Sequence, residues 1–257
     1  MTTETSGSGD IARSLELLWG TAERPSRGPK PGLALDTIVA AAIAVADSDG
    51  IAAVSMRRIA SELGTGTMSL YRYVPGKAEL LDLMLDRVSA PETGEPSSDG
   101  AVTDWRAAVE SVARGYRDLY LKHPWLLRVN QARTVLGPSA LRSLEAALTG
   151  LQGLQLRDAE KISVIISVQS LVTGIVRMDA DANDAVEETG LGHDEFWTAQ
   201  RPFLERAMKS GDYPMMATMD DDTFSEEFDH FEFGLALLLD GLDATVARRT
   251  EGPPSAA

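Results

Sequence analysis

From Leu33 onward the apolar positions recur at helical spacing. Leu35, Ile38, Val39, Ala42 and Ala46 make one face of a helix, and Asp47, Ser48, Asp49 and Gly50 supply turn residues to end it. Ser55 is a good N-cap for a short second helix whose Ile59, Ala60 and Leu63 face inward. Gly64-Thr65-Gly66 breaks that helix, a third runs over about 67–73, and Pro75-Gly76 closes it. A fourth starts near Lys77, with Leu80, Leu81, Met84, Leu85 and Val88 apolar. Before these lie a polar stretch, 1–9, with the composition of a disordered end, and a short helix over 10–20 striped by Ile11, Leu15 and Leu18. A Pro/Gly/Arg segment, 21–32, reads as an extended arm. The run PETGEPSSDG at 91–100 is the clearest boundary, and beyond it helices are predicted at about 103–122, 124–132, 138–152, 157–184, 193–209 and 223–249. No convincing period-two run appears, so the expected fold class is all-α. Three regions follow: a flexible extension with a short helix and a basic arm (1–32), a three-helix domain containing a helix-turn-helix (33–89), and a larger helical domain (101–250).

The segment 55–77, SMRRIASELGTGTMSLYRYVPGK, carries the most chemistry. Two short helices around a three-residue Gly-rich turn have the geometry in which the first helix braces on the DNA backbone and the second enters the major groove. Gly64 sits where the turn needs a permissive backbone, and Leu63 and Leu70 are expected to be buried and to fix the interhelical angle. The exposed face of the second helix then offers Thr67, Ser69, Tyr71 and Tyr73, with Arg72 nearby, for phosphates and base edges. Arg57, Arg58 and Lys77 flank it as phosphate contacts. The competing reading is a helical hairpin inside a core; the concentration of Tyr, Ser and Thr beside basic residues favours DNA.

Over residues 35–88 the chain resembles the DNA-binding domain of the TetR family of bacterial transcriptional regulators. The resemblance rests on the apolar helix ending in Asp47 to Gly50, on Ser55, Arg57, Ile59 and Ala60, on Leu63-Gly64, on Leu70-Tyr71-Arg72-Tyr73, and on Lys77, Glu79, Leu80 and Leu81. It implies a fourth helix linking the domain to an all-helical ligand-binding and dimerisation domain. Residue by residue it implies Thr67, Ser69 and Tyr71 at the bases, and Ser55, Arg57, Thr65, Tyr73 and Lys77 at bases or phosphates. Gly66 stands where the family often has a side-chain N-cap, and the recognition helix has no Asn, Gln or Arg at its N-terminal end for bidentate base readout. The arm places Arg24, Arg27 and Lys30 where they either track a minor groove or serve as a solubilising linker.

Charge changes this picture. The 257-residue chain has 24 Lys+Arg against 39 Asp+Glu, a net of −15, which by itself argues against a nucleic-acid partner. The charge is unevenly spread: residues 1–89 sum to −2 and residues 90–257 to −13, while the window 24–77 is +3. A locally basic segment rides on an acidic body. Cysteine is absent, which excludes disulfides, Cys-ligated zinc and a Cys nucleophile.

In the larger region, Phe224, Phe228, Phe231, Leu235, Leu238 and Leu242 fall at spacings of 4, 3, 4, 3 and 4, an apolar seam with Gly234 and Gly241 close to its face. It resembles the last helix of tetracycline-repressor-like C-terminal domains. Ile162, Ile165, Ile166, Gln169, Val172, Thr173 and Val176 make a comparable stripe. Two such helices from each subunit would build a four-helix interface in a homodimer; an ordinary core helix is the alternative. The resemblance also implies a ligand pocket, for which Trp125, Arg128, Asn130, Gln169, Thr173, Arg177 and Trp197 are the candidates, with Gln131 and Phe196 nearby. Tetracycline repressors bind a magnesium–drug chelate through a His, and the rough alignment places Asn130 at that position. The expected ligand is therefore an apolar or amphipathic organic molecule bound without a metal.

No enzyme constellation emerges. His123, His193 and His230 lie on separate predicted helices. Asp179, Asp181 and Asn183 resemble a calcium loop, but Asp184 replaces the required Gly and Gly190 the closing Glu. No phosphate-cradling or nucleophile motif is found, and no cofactor is expected. The longest apolar run, nine residues over 38–46, is short of the ~20 needed to span a bilayer. With no basic-then-apolar leader at the N-terminus, a cytoplasmic location without membrane contact is expected. The sequence thus points to a sequence-specific DNA-binding regulator, a repressor released by a small ligand. The alternative is an all-helical small-molecule carrier with an idle N-terminal domain.

Overall fold

The computed structural model describes residues 4–21, 33–90, 104–220, 223 and 228–250. Arg24, Arg27 and Lys30 of the arm, Phe224 and the 91–100 boundary lie outside the described residues. The fold class is all-α: ten α-helices among the described residues and one bridge between two-residue strands. In order they are β1 (Glu4–Thr5), α1 (Ile11–Leu18), α2 (Leu35–Asp49), α3 (Met56–Glu62), α4 (Thr67–Leu70), α5 (Lys77–Val88), α6 (Trp105–Lys122), β2 (Val129–Asn130), α7 (Pro138–Gly150), α8 (Asp158–Thr189), α9 (His193–Lys209) and α10 (His230–Thr250). Short 3₁₀ turns occupy Ile51–Ala53, Pro124–Arg128 and Met216–Thr218.

Helices α2–α5 close around Ile38, Ala42, Ile59, Leu70, Val74, Leu80 and Met84, all sealed from solvent. The turn after α3 is a Schellman cap. Gly64 takes φ +60°, its N–H bonds the Ser61 carbonyl at 3.1 Å, and Thr65 N–H bonds the Ala60 carbonyl at 2.9 Å. Only a residue without Cβ enters that backbone region freely. Leu70 is fully buried, whereas Leu63 is only half-buried.

The larger region is a bundle of α6, α8 and α10 with α7 against α6. The seam on α10 turns into the subunit's own core. Phe231, Leu235, Leu239 and Leu242 are buried, and a Cβ on Gly234 would come 3.0 Å from the Leu171 side chain of α8. On α8, Ile165, Val168, Val172 and Val176 are likewise inside. Phe231, Leu235 and Leu242 of the seam thus pack within one subunit, while Phe228 of the seam and Ile162 and Ile166 of the α8 stripe stay exposed, so both helices keep apolar surface beside the core. Apolar groups left facing outward include Ile162, Ile166, Met178 and Val186 on α8 and Phe233 and Leu237 on α10. At the far end, Glu160 of α8 holds Arg249 of α10 through contacts of 2.7 Å. The Arg249 guanidinium, then Arg157, keeps that carboxyl far below the usual carboxylate range. The pair is thus complete at neutral pH and is lost only as strong acid protonates Glu160.

Two expectations differ from the structure. Residues 124–130 form a 3₁₀ turn and a short strand rather than a helix, because Trp125 is bonded to Asp47 of α2 and Val129 and Asn130 pair with β1. The stretch containing Asp179, Asp181 and Asn183 is continuous helix within α8, in keeping with the helix predicted over 157–184, and has none of the curvature of a calcium loop. The extension is not loose over residues 4–18: β1 pairs in parallel with β2 and α1 packs on α5. By length and composition α8 is long and apolar enough to cross a membrane; Ile165, Val168, Val172 and Val176 are buried in the bundle with α6 and α10, while most of its apolar stretch is not buried within the subunit.

Gly64→Ala should lower the unfolding free energy by about 1–2 kcal/mol, since open space surrounds the site and only the backbone conformation is penalised. Gly64→Asn should cost less. Urea denaturation of the variants would check the order; equal stability of Ala and wild type would contradict it.

Candidate functional site

The helix-turn-helix presents its polar groups from α3, the turn and α4. Ser55 caps α3, its Oγ accepting from Arg58 N–H at 3.2 Å, so the hydroxyl stands at the helix entrance and is exposed. Arg57 and Arg72 are exposed and make no ion pair among the described residues. Arg58 is occupied, bonded to Asp49 at 3.1 Å and Glu62 at 2.9 Å. Thr65, Thr67, Ser69 and Tyr73 are half-buried and Tyr71 is exposed. Met68, which the sequence reading passed over, is 78% exposed on α4, an apolar group on an otherwise polar face. Its signal was available, since Met68 lies outside the Leu70–Val74 core spacing. Lys77 is engaged: Nζ lies 2.8 Å from Glu4 and donates to the Ile51 carbonyl at 3.3 Å. Arg27 lies outside the described residues.

Of the pocket candidates, five border two clefts that meet at Arg177. One, of about 330 Å³, is a groove along α8 lined by Gln169, Ser170, Thr173, Gly174 and Arg177. The other, about 240 Å³, runs between the end of α2, the 124–128 turn and α8, with Trp125, Arg128 and Arg177 on its wall. Gln169 Nε2 and Thr173 Oγ1 both donate to the Tyr120 hydroxyl, at 3.3 and 3.1 Å. Tyr116 stacks on Tyr120 with ring centres 6.3 Å apart. Burial, then Tyr120 beside it, raises the Tyr116 phenol above its ordinary value, which keeps it neutral. Arg177 donates to the Leu127 carbonyl at 2.6 Å, and Arg128 pairs with Asp181 and Asp184 at 2.9 and 2.6 Å.

Asn130 and Trp197 are not brought to these clefts. Asn130 sits in β2, where its Oδ1 accepts from Ala132 N–H at 3.0 Å. Trp197 lies on α9, which buries no side chain fully, against the rings of His193 and Phe196. Trp125 also has a second occupation. Its indole Nε1 donates to Asp47 at 2.8 Å, and His123 Nδ1 lies 2.7 Å from the same oxygen. Asp47 belongs to α2, so this carboxylate joins the helix-turn-helix domain to the turn that walls the second cleft. Sequence reasoning assigned Asp47 only to a helix end, because its partners lie about 76 positions away. No cluster of three or more metal-ligating side chains occurs among the described residues.

Residues 38–84 match the family described as bacterial regulatory proteins, tetR family, and residues 97–246 match the tetracyclin repressor-like C-terminal domain. The HTH-type transcriptional repressor DrrR1 of Streptomyces coeruleorubidus is 56% identical over 98% of this chain and 93% of its own length. Among solved structures, apo ActR from Streptomyces coelicolor matches with TM-score 0.64 and 29% identity, covering 85% of this chain and all but 1% of that one. ActR in complex with actinorhodin matches with TM-score 0.69 and 26% identity, over 86% of this chain and 100% of that one.

The Asp47–Trp125 bond can be tested by a double-mutant cycle. Trp125→Phe should cost about 1 kcal/mol in the wild-type background and close to nothing more in Asp47→Ala, read by urea denaturation. Additive losses would remove this contact from the domain junction.

Proposed function

The chain belongs to the TetR family of bacterial transcriptional regulators, and on that premise we propose that it is a homodimeric repressor whose hold on an operator is released by a small organic ligand. DNA binding and transcriptional regulation follow from the family. The observation that carries the DNA-binding surface is the capped α3–turn–α4 unit with Arg57, Tyr71 and Arg72 exposed beside it. In this reading Thr67, Ser69 and Tyr71 meet base edges, and Ser55, Arg57, Thr65 and Tyr73 meet bases or phosphates. Arg27 of the arm follows the neighbouring minor groove. Lys77 reaches a phosphate by exchanging its Glu4 partner for it. Met68 adds apolar contact suited to a thymine methyl. The acidic bulk lies in the other region, so the protein approaches DNA by one face only.

Two operator half-sites call for two copies. The outward stripes Ile162/Ile166 and Phe233/Leu237 on adjacent helices supply the apolar surface for a second copy. The ligand is an apolar or amphipathic organic molecule held without a metal in the clefts meeting at Arg177. Support comes from the mixture of apolar wall and few polar groups there, and from the likeness to a regulator crystallised with actinorhodin. Occupancy shifts the population towards a dimer whose recognition helices no longer match grooves ~34–36 Å apart. Such a protein works in the cytoplasm, where bacterial DNA lies, with no membrane partner.

A gel-shift with DNA upstream of its own gene separates a repressor from a carrier: a specific shift is expected, and its absence at low salt would favour the carrier. Arg57→Ala should reduce the slope of log affinity against log salt by about 1, as loss of one phosphate contact does. An unchanged slope would take Arg57 off the DNA surface. In a metal-free thermal-shift screen, compounds that raise the melting temperature should also weaken the shift; stabilisation by metal chelates alone would refute the proposed pocket chemistry.

A further inference from the structure

Both family matches begin at or after residue 38, yet residues 4–18 are bonded to two distant parts of the chain. The first anchor is α5. Asp82, 1% exposed, accepts from Ser6 Oγ at 2.9 Å and Gly7 N–H at 2.9 Å on one oxygen, and from Ser14 Oγ at 2.8 Å on the other. Glu79, 7% exposed, accepts from Asp10 N–H at 2.9 Å. The second anchor is the segment after the 124–128 turn. Glu4 and Thr5 pair with Val129 and Asn130, and Ser6 N–H donates to the Asn130 carbonyl at 3.1 Å.

A carboxylate this deeply buried persists only where donors satisfy it, and among the described residues every donor to Asp82 comes from residues 6–14. If that segment is displaced, either α5 moves with it and keeps these bonds or Asp82 gives up all three donors at once. The position of the segment and the position of α5 are therefore one equilibrium. Its other end follows the wall of the second cleft, since Val129 directly succeeds Arg128. We infer that residues 4–18 form a coupling strap that transmits displacement of the 124–130 wall to α5, and through α5 to the helix-turn-helix. This rests on the reading of the chain as a ligand-released repressor. By linkage, a strap that cannot leave β2 makes release by ligand unfavourable.

The chain has no cysteine, so Thr5→Cys with Asn130→Cys introduces the only two thiols of a subunit at positions paired across the bridge. Neighbouring strands stand within disulfide reach. The probe is actinorhodin, with binding followed by quenching of tryptophan fluorescence. In the reduced double variant, saturation with actinorhodin should weaken operator binding on the order of tenfold or more; in the oxidised form the same occupancy should weaken it less than about twofold. Equal release from both forms would overturn the strap. If actinorhodin quenches neither form, the ligand reading fails for that compound, and amide hydrogen exchange without ligand decides the strap instead. Oxidation should then slow exchange along α5, and Ser6→Ala/Ser14→Ala should speed it in α5 and at 129–131 together. Exchange altered only within residues 4–18 would show a passive N-terminal segment and refute the inference.

Discussion

Glu79, Asp82 and Asp86 lie along α5 with exposures of 7, 1 and 7%, and a carboxylate removed from water has to be given donors elsewhere. Here the donors come from two directions. The N-terminal segment satisfies Glu79 and Asp82, while Asp86 accepts from the N–H groups of Ser139 and Ala140 at the start of α7, at 3.0 and 2.9 Å. These carboxylates thus fix where α1 and α7 dock. They make α5 the place at which the DNA-binding unit, the extension and the ligand-binding region all meet. Gly137 belongs to the same constraint, since a Cβ there would fall 2.4 Å from the Asp86 carboxylate. The helix carries little freedom to move without breaking several charge-assisted bonds at once, which is the behaviour expected of a switch element with discrete positions.

Asp47 works in the same manner at the other junction. One of its oxygens, Oδ1, is shared by His123 and Trp125, so α2 and the 124–128 turn are held by one group. Arg177, bonded to the Leu127 carbonyl, holds that turn to α8. The turn is consequently pinned from both sides by side chains bordering the second cleft. A molecule entering between α2 and α8 meets the residues that determine how the two regions sit together, without a long chain of intermediates.

The charge split gains meaning in this arrangement. Residues 90–257 carry most of the acid, and several of their carboxylates are spent on arginines of the same region: Glu160 on Arg249, Asp181 and Asp184 on Arg128, Glu232 on Arg114. Within α2–α5, Arg58 is spent in the same way on Asp49 and Glu62, whereas Arg57 and Arg72 are exposed and make no ion pair among the described residues. Repulsion between the acidic body and DNA is screened beyond ~8–10 Å at physiological salt, so a small basic face suffices to set the polarity of approach.

Features decided by neighbours in the chain were legible from the residues alone. Gly64 and the Leu70 spacing announce the turn and its core because a Schellman cap and a four-residue helix are local events, and helical periodicity announces the all-α class. What depended on distant partners was not legible. The α10 seam has the same spacing whether it faces its own bundle or a second copy, and only the fold brings Gly234 against Leu171 and Ile175 of the same subunit. The 124–132 segment scans as helix until Asp47 claims Trp125 and β1 claims Asn130. Ser6 and Gly7 have the composition of a disordered end until Asp82, 76 and 75 positions away, needs their donors. Sequence determined the local conformations, since those depend on each residue's own backbone and its near neighbours. Tertiary structure decided which polar groups are buried together, because the cost of an unsatisfied buried charge exists only once the chain has folded around it.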